Sequence, residues 1–318
     1  MKKITNNISF DESLNKLFGY DKLFNNFVTL FNTNKLPKIL ILTGDKGIGK
    51  FSFIFHFINF ILSKHTESSY DMENFSIQFD SNIIKKIKSN VEQNFNYLGC
   101  DKQSNVSVDS IRELKLKLSK TPLNNLPRFN VIDDVELINL NSANALLKLI
   151  EEPSDYDYFF LINNKNNKVI ETLFSRSIEF KIFLSLDDKK NIFKLIKEQF
   201  NLENNFLHDY LEYSTPENLL KFNLIFKELG IETLENFDNT IYKLLEGFKK
   251  TKNITYFNLI IFLIDIKFSE IIGANNKNTL KIIEIKNKIV NLFYQYNNFN
   301  LNMLNVFNQY KVYLNHVR

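Results

Sequence analysis

Residues 44–50 read Gly-Asp-Lys-Gly-Ile-Gly-Lys, and the spacing of the glycines and the last lysine is that of a loop that wraps phosphate. The chain has 8 glycines in 318 residues, yet three of them, Gly44, Gly47 and Gly49, fall within six positions. Glycine gives backbone that closes round an anion, the following helix N-terminus offers unpaired N–H groups, and Lys50 would reach the β- and γ-phosphates of a nucleotide. The pattern G-x-x-x-x-G-K-[ST] ends in a hydroxyl that ligates Mg²⁺, and that position here is Phe51. A phenyl ring cannot be a ligand, and Ser52 points about 100° further round a helix. The loop has the shape of a phosphate site without its metal ligand. Taken alone, it also fits a plain glycine turn beside a buried helix.

Such a loop works only between a strand and a helix. Lys38–Thr43, short, apolar and preceded by Pro37, predicts a central parallel strand. The run FSFIFHFINFIL puts Phe51, Ile54, Phe55, Ile58 and Leu62 on one helical face. A second unit follows the same logic: a strand through Asn130–Ile132, the acids Asp133 and Asp134, a helix from about Ser142, and a strand over Tyr158–Ile162. Asp133 stands where an aspartate holds the metal in phosphate-loop ATPases, and Asp134 where a glutamate positions the attacking water. Aspartate is one methylene shorter, so the carboxylate falls back from that water. For Asp134 the alternative is an exposed acid at a strand end.

The remaining composition narrows the classes. Forty basic and 36 acidic side chains leave a net charge of +4, with both signs mixed along the chain, so charge alone does not argue for nucleic acid. Cys100 has no internal disulfide partner, and the histidines at 56, 65, 208 and 316 show no metal-ligand spacing. The most apolar late run, Leu259–Ile264, is far short of the ~20 residues of a membrane span. The expectation is a cytoplasmic protein without metal, disulfide or membrane segment. The 32 Phe, and the excess of Asn, Lys and Ile, read as coding bias.

Several stretches together resemble one family. SANALLKLIEEPSDYDYFFLINN followed by LFSRSIEF is similar to the bacterial DNA polymerase III clamp-loader subunits, as are LFGYDKLFNNFVTLFNTNKLPKILILTGDKGIGK and VSVDSIRELKLKLSKTP upstream. The resemblance covers roughly residues 13 to 183, with a gap. It implies an α/β fold: a P-loop AAA+ parallel-sheet domain at 1–183, a small helical lid at 184–224 and an all-α collar domain at 225–318. The ATP-hydrolysing member of the family keeps an intact loop and a glutamate after the metal-binding aspartate, whereas the delta-prime type has degraded both, as Phe51 and Asp134 have here. Four zinc-binding cysteines common in relatives are missing, since residues 63–107 contain only Cys100. In EYSTPENLLKF, Asn218 falls where active members aim an arginine at the γ-phosphate. Arg176 in FSRS matches the arginine finger that reaches the ATP of a neighbouring subunit, although Ser177 replaces the usual cysteine.

The C-terminal part reads as helical. Ser185 or Asp187 caps a helix that aligns Ile192, Leu195 and Ile196, and amphipathic segments continue to the C-terminus, with Gly230, Gly247 and Gly273 near helix ends. The resemblance implies a delta-prime-like subunit that does not itself hydrolyse ATP and donates Arg176 in trans. Its partners would be the gamma/tau ATPase and delta subunits, and through the complex the sliding clamp and primer-template DNA. Whether ATP or ADP is held without turnover by Gly44, Gly47, Gly49 and Lys50 is left open, with Asp133 and Asp134 beside them. Two other readings stand: an ATP-hydrolysing motor using Lys50 and Asp133, and a P-loop interaction protein outside replication.

Overall fold

The computed structural model describes residues 14–64, 70–99, 106–120, 122, 125–202, 210–234, 236–274, 278–299 and 301–316. Cys100, His65 and His208 lie outside the described residues. The chain divides into two compact units, Met1–Gln199 with Thr215–Glu217, and Phe200–Ser214 with Asn218–Arg318.

The first unit is built on a five-stranded sheet of β1 (Ile39–Thr43), β2 (Phe95–Leu98), β3 (Arg128–Ile132), β4 (Asp157–Asn163) and β5 (Ile178–Lys181). Every pairing is parallel, and the order is β2-β3-β4-β1-β5, so β1 lies between β4 and β5. In a parallel sheet covered on both faces the strands become continuous apolar runs, which is why all seven residues of β4 are buried. The register pairs Thr43 with Asn163 and Ile132 with Leu161, which brings the loops after β1, β3 and β4 to one end of the sheet. Ligands of open α/β sheets bind at that carboxyl end.

One face of the sheet is covered by α4 (Val108–Leu118), α5 (Leu140–Ile150) and α6 (Glu171–Phe174), whose Ile111, Leu114, Leu146, Ile150 and Leu173 close over Ile41, Ile132, Phe159 and Leu161. The other face is aromatic. Phe27 of α1 (Asp21–Asn32) meets Phe53 and Phe57 of α2 (Lys50–Ser63), and Phe57 meets Phe129 and Phe160 of the sheet, all at centroid separations of 5.0–6.2 Å. The α2 periodicity predicts one buried face, and the structure buries Phe53, Ile54, Phe55, Phe57, Ile58, Ile61 and Leu62. The difference is physical: α2 has the sheet on one side, and α1 and α3 (Asn82–Lys88) on others, so little of it meets water. The helix α7 (Leu186–Phe200) opens on Ser185, whose hydroxyl accepts the N–H of Asp188 while the Asp188 carboxylate accepts the N–H of Ser185, a reciprocal cap.

The second unit is helical. It contains most of α8 (Pro216–Leu229), with α9 (Phe237–Thr251), α10 (Ile254–Ala274), α11 (Thr279–Phe299) and α12 (Met303–Asn315). Consecutive helices α9 to α12 pack side by side, and α12 returns to α9 through a hydrogen bond from Tyr310 Oη to Asp238 Oδ1 of 3.0 Å. Gly247 lets α10 approach closely, because a Cβ there would lie 2.3 Å from the Tyr256 ring. No helix of the described residues is long and apolar enough to cross a membrane.

Candidate functional site

The phosphate half of the site is built from β1, the loop and the first turn of α2. Gly47 and Gly49 take left-handed backbone, φ +85° and +92°, which side chains rarely adopt. Gly44 is required for space, since a Cβ would lie 2.5 Å from the carbonyl oxygen of Ile182. Gly49 stands at the N-cap of α2 with no side-chain cap, so no side chain of Gly49 takes up the free N–H groups of the first turn. Lys50 is buried and folds back over the loop, donating to the carbonyl oxygens of Gly44 and Asp45, both at 2.7 Å. Burial pulls the Lys50 pKa down to about 8, against the opposing charges of Asp133, Glu136, Asp45 and Glu217. Tyr20 Oη donates to the carbonyl oxygen of Ile48 and tethers the loop from the α1 side.

The acidic half lies at the end of β3. Asp133 Oδ1 accepts the N–H of Asp134 at 2.8 Å and the amide of Asn164 at 3.3 Å, and its Oδ2 accepts the hydroxyl of Tyr97 at 3.2 Å. Burial, and then the neighbouring Asp134 carboxylate, push the Asp133 pKa up from its ordinary value, opposed by the Asp134 N–H, the Lys46 charge and the Tyr97 hydroxyl. Asp134 adopts φ +50° and is buried. Its carboxylate receives Lys46 Nζ on both oxygens, at 3.0 and 3.1 Å, and Asn164 Nδ2 on Oδ1 at 2.7 Å. Asp134 is thus a buried, bonded acid rather than an exposed one.

Phe51 sits between the two halves. Its ring packs against Phe55 at 5.8 Å and edge-on against Tyr97 at 5.1 Å. Gly99 makes room for Tyr97, since a Cβ there would lie 2.7 Å from its hydroxyl. The helix is therefore packed toward β2 by the residue that stands in the metal-ligand position.

Gly44, Gly47, Gly49, Lys50, Asp133 and Asp134 come together at one end of the sheet, and Arg176 stands apart on the turn between α6 and β5. Arg176 is exposed; its Nη1 donates to the carbonyl oxygen of Thr172 at 3.2 Å and its Nη2 lies 3.1 Å from Glu151 Oε1. At the start of α8 the N–H of Glu217 donates to the carbonyl oxygen of Gly47 at 3.3 Å, one residue before Asn218.

Four residues of the site escape the sequence reading. Lys46, Tyr97, Asn164 and Glu136 carry no motif of their own. Asn164 had the best signal, a polar residue directly after the apolar run of β4; Tyr97 is joined to Asp133 only by the pairing of β2 with β3. Glu136 accepts the N–H of Asn164 on both oxygens at 3.1 Å and fixes the turn that aims the Asn164 amide at Asp133 and Asp134.

The family model described as DNA polymerase III, delta subunit, matches residues 19–184. The chain is 25% identical over 186 residues to the DNA polymerase III subunit gamma of Buchnera aphidicola subsp. Schizaphis graminum, covering 58% of this chain and 48% of that one. It is 24% identical over 235 residues to the subunit delta' of the same organism, covering 73% and 67%. The chain spans about half the length of that gamma subunit. The fold is similar to that of a DNA polymerase III gamma subunit-related protein of Thermotoga maritima, with a TM-score of 0.51, 17% identity, and coverage of 92% of this chain and 99% of that one.

Proposed function

The chain belongs to the DNA polymerase III delta subunit family, and from that premise we propose that it works as a delta-prime-like subunit of the clamp loader that does not itself hydrolyse ATP. The observation that carries this reading is the contact of Phe51 with Tyr97 and of the Tyr97 hydroxyl with Asp133. Mg²⁺ needs near-octahedral oxygen ligands at about 2.0–2.1 Å. Here the hydroxyl ligand is replaced by a ring, and the oxygens of Asp133 accept N–H and O–H donors. A ring at position 51 and an Asp133 carboxylate already accepting Tyr97, Asp134 and Asn164 donors do not fit the ion.

Arg176 would act in trans. It is exposed, oriented by Glu151 and the end of α6, and carries a permanent charge suited to a phosphoryl group developing negative charge. The partners in this reading are the gamma/tau ATPase and delta subunits, with the sliding clamp and primer-template DNA reached through the complex in the cytoplasm. The three-part division at 183/184 and 224/225, with the last part as a collar, goes with it.

The test is ATP turnover by the chain assembled with its host's gamma/tau and delta subunits, sliding clamp and primed DNA, for wild type and Arg176→Ala. The reading expects no turnover by the isolated chain and a collapse in the complex carrying the variant. Turnover by the isolated chain that Lys50→Ala abolishes would favour a motor. A complex indifferent to Arg176→Ala would leave a scaffold without a finger, and failure to assemble would sink the clamp-loader role.

A further inference from the structure

We propose that Lys46 is a built-in counter-cation at the acidic end of β3, which lets the loop take a di- or triphosphate group without a divalent metal ion. The inference rests on the non-hydrolysing reading and extends it to the ligand of the loop.

The two halves of the site have diverged. On the acidic side the places a metal would use are filled by the chain itself. Phe51 replaces the hydroxyl, Tyr97 and the Asp134 N–H bond Asp133, and the Lys46 ammonium sits bidentate on Asp134 with Asn164 beside it. Partial burial opposes the Lys46 charge, but the Asp134 carboxylate, with Asp133 and Glu136 behind it, outweighs this and holds the ammonium protonated. A cation therefore already stands between the acids and the loop that contains it. The phosphate side is intact: left-handed Gly47 and Gly49, the uncapped start of the 14-residue α2, and Lys50. Asp45, the acid of the loop, is paired with Lys165 at 3.2 Å.

A second observation points to a ligand at the loop. The Thr215 hydroxyl is buried and, among the described residues, has no hydrogen-bond partner. It lies against Gly47, 2.4 Å from where a Cβ would stand, within the first unit. Buried hydroxyls are ordinarily satisfied, and leaving one unpaired is costly. A phosphate oxygen held by the loop amides supplies the missing partner, and Lys46 and Lys50 supply the charge that Mg²⁺ would otherwise bring.

The experiment is calorimetric titration of the full chain with ADP, ATP and pyrophosphate, each in Mg²⁺ and in EDTA, for wild type, Lys46→Met, Lys46→Arg and Thr215→Val, with thermal melts to establish folding. The wild type is expected to bind with the same affinity in both buffers, within about threefold. Lys46→Met is expected to lose about tenfold or more in EDTA, Lys46→Arg to restore it, and Thr215→Val to weaken binding about five- to tenfold in both. Pyrophosphate as tight as ADP assigns the site to polyphosphate as such, and tighter ADP to a nucleotide; either supports the proposal if it survives EDTA. Binding that needs Mg²⁺, binding indifferent to Lys46→Met, or no binding by the folded wild type overturns it. The last result, beside a complex whose turnover still depends on Arg176, would remove this inference and leave the non-hydrolysing role in place.

Discussion

Arg176 Nη2 lies 3.1 Å from Glu151 Oε1, so the residue proposed to serve a neighbour is held by an acid at the end of α5 of its own chain. Both side chains are roughly half exposed, and such pairs contribute about 0–1 kcal/mol. Glu151 orients the guanidinium without locking it. Glu151→Gln should therefore change urea stability by less than about 0.5 kcal/mol and complex turnover by less than about twofold. Arg176→Lys should fail nearly as badly as Arg176→Ala, because an ammonium does not reproduce the planar fork, and a finger contributes roughly 10³–10⁵ in rate at the site it serves. A lysine variant with wild-type turnover would show that only charge matters there.

Restoring the motif letter should not restore the chemistry. Phe51→Thr brings back a hydroxyl, but Tyr97 still bonds Asp133 and Lys46 still bonds Asp134. We expect no ATP hydrolysis by the isolated variant and a loss of about 1–3 kcal/mol in urea unfolding, from the ring contacts with Phe55 and Tyr97. Measurable hydrolysis would mean that one missing ligand was the whole defect.

Lys50 gives a pH signature. Its folded pKa of about 8 lies below the unfolded value of 10.5, so between these values the unfolded chain holds the extra proton. Stability then rises with pH across that window, by at most about 1.4 kcal/mol per pH unit. Lys50→Met lacks the term. The wild-type stability minus that of Lys50→Met should be lowest below pH 8 and climb toward pH 10.5. A flat difference in denaturant melts would place the Lys50 pKa at its ordinary value.

The strand register has its own lock. Arg128 and Asp157, opposite each other at the starts of β3 and β4, form a buried fork with Nε–Oδ1 at 2.6 Å and Nη2–Oδ2 at 2.8 Å. The guanidinium also donates to the carbonyl oxygens of Lys120 and Leu118. Asp157→Ala leaves a buried cation without its anion and should cost about 3–5 kcal/mol in urea unfolding, whereas Arg128→Met with Asp157→Leu should recover most of it. A single variant as stable as wild type would make the pair dispensable.

Much of the first unit is legible locally. The apolar runs ending at Thr43, Ile132 and Ile162 mark strands because a doubly covered parallel strand has no polar face, and the glycine cluster marks the loop because Gly47 and Gly49 take left-handed angles that side chains rarely adopt and Gly44 has no room for a Cβ. The boundaries of β1, β3 and β4 lie within two residues of the apolar runs, and Ser185 caps α7 as its side-chain chemistry suggests. α5 begins at Leu140 with Asn139 as its cap, two residues before the apolar pattern points to Ser142, because an asparagine side chain can accept the free N–H groups of a first turn.

What the sequence by itself determined is the three central strands β1, β3 and β4, the helix α2 after the glycine loop, and which residues could wrap a phosphate; those follow from neighbours along the chain, whereas β2 and β5 carry no such local signal. Only the tertiary structure decided what the acids do. Parallel pairing sets Tyr97 beside Asp133, the end of β4 aims Asn164 at both acids, and the loop turns Lys46 onto Asp134 across 88 positions. Those contacts depend on sheet order and loop path, and no local pattern encodes a side chain's partner on another strand.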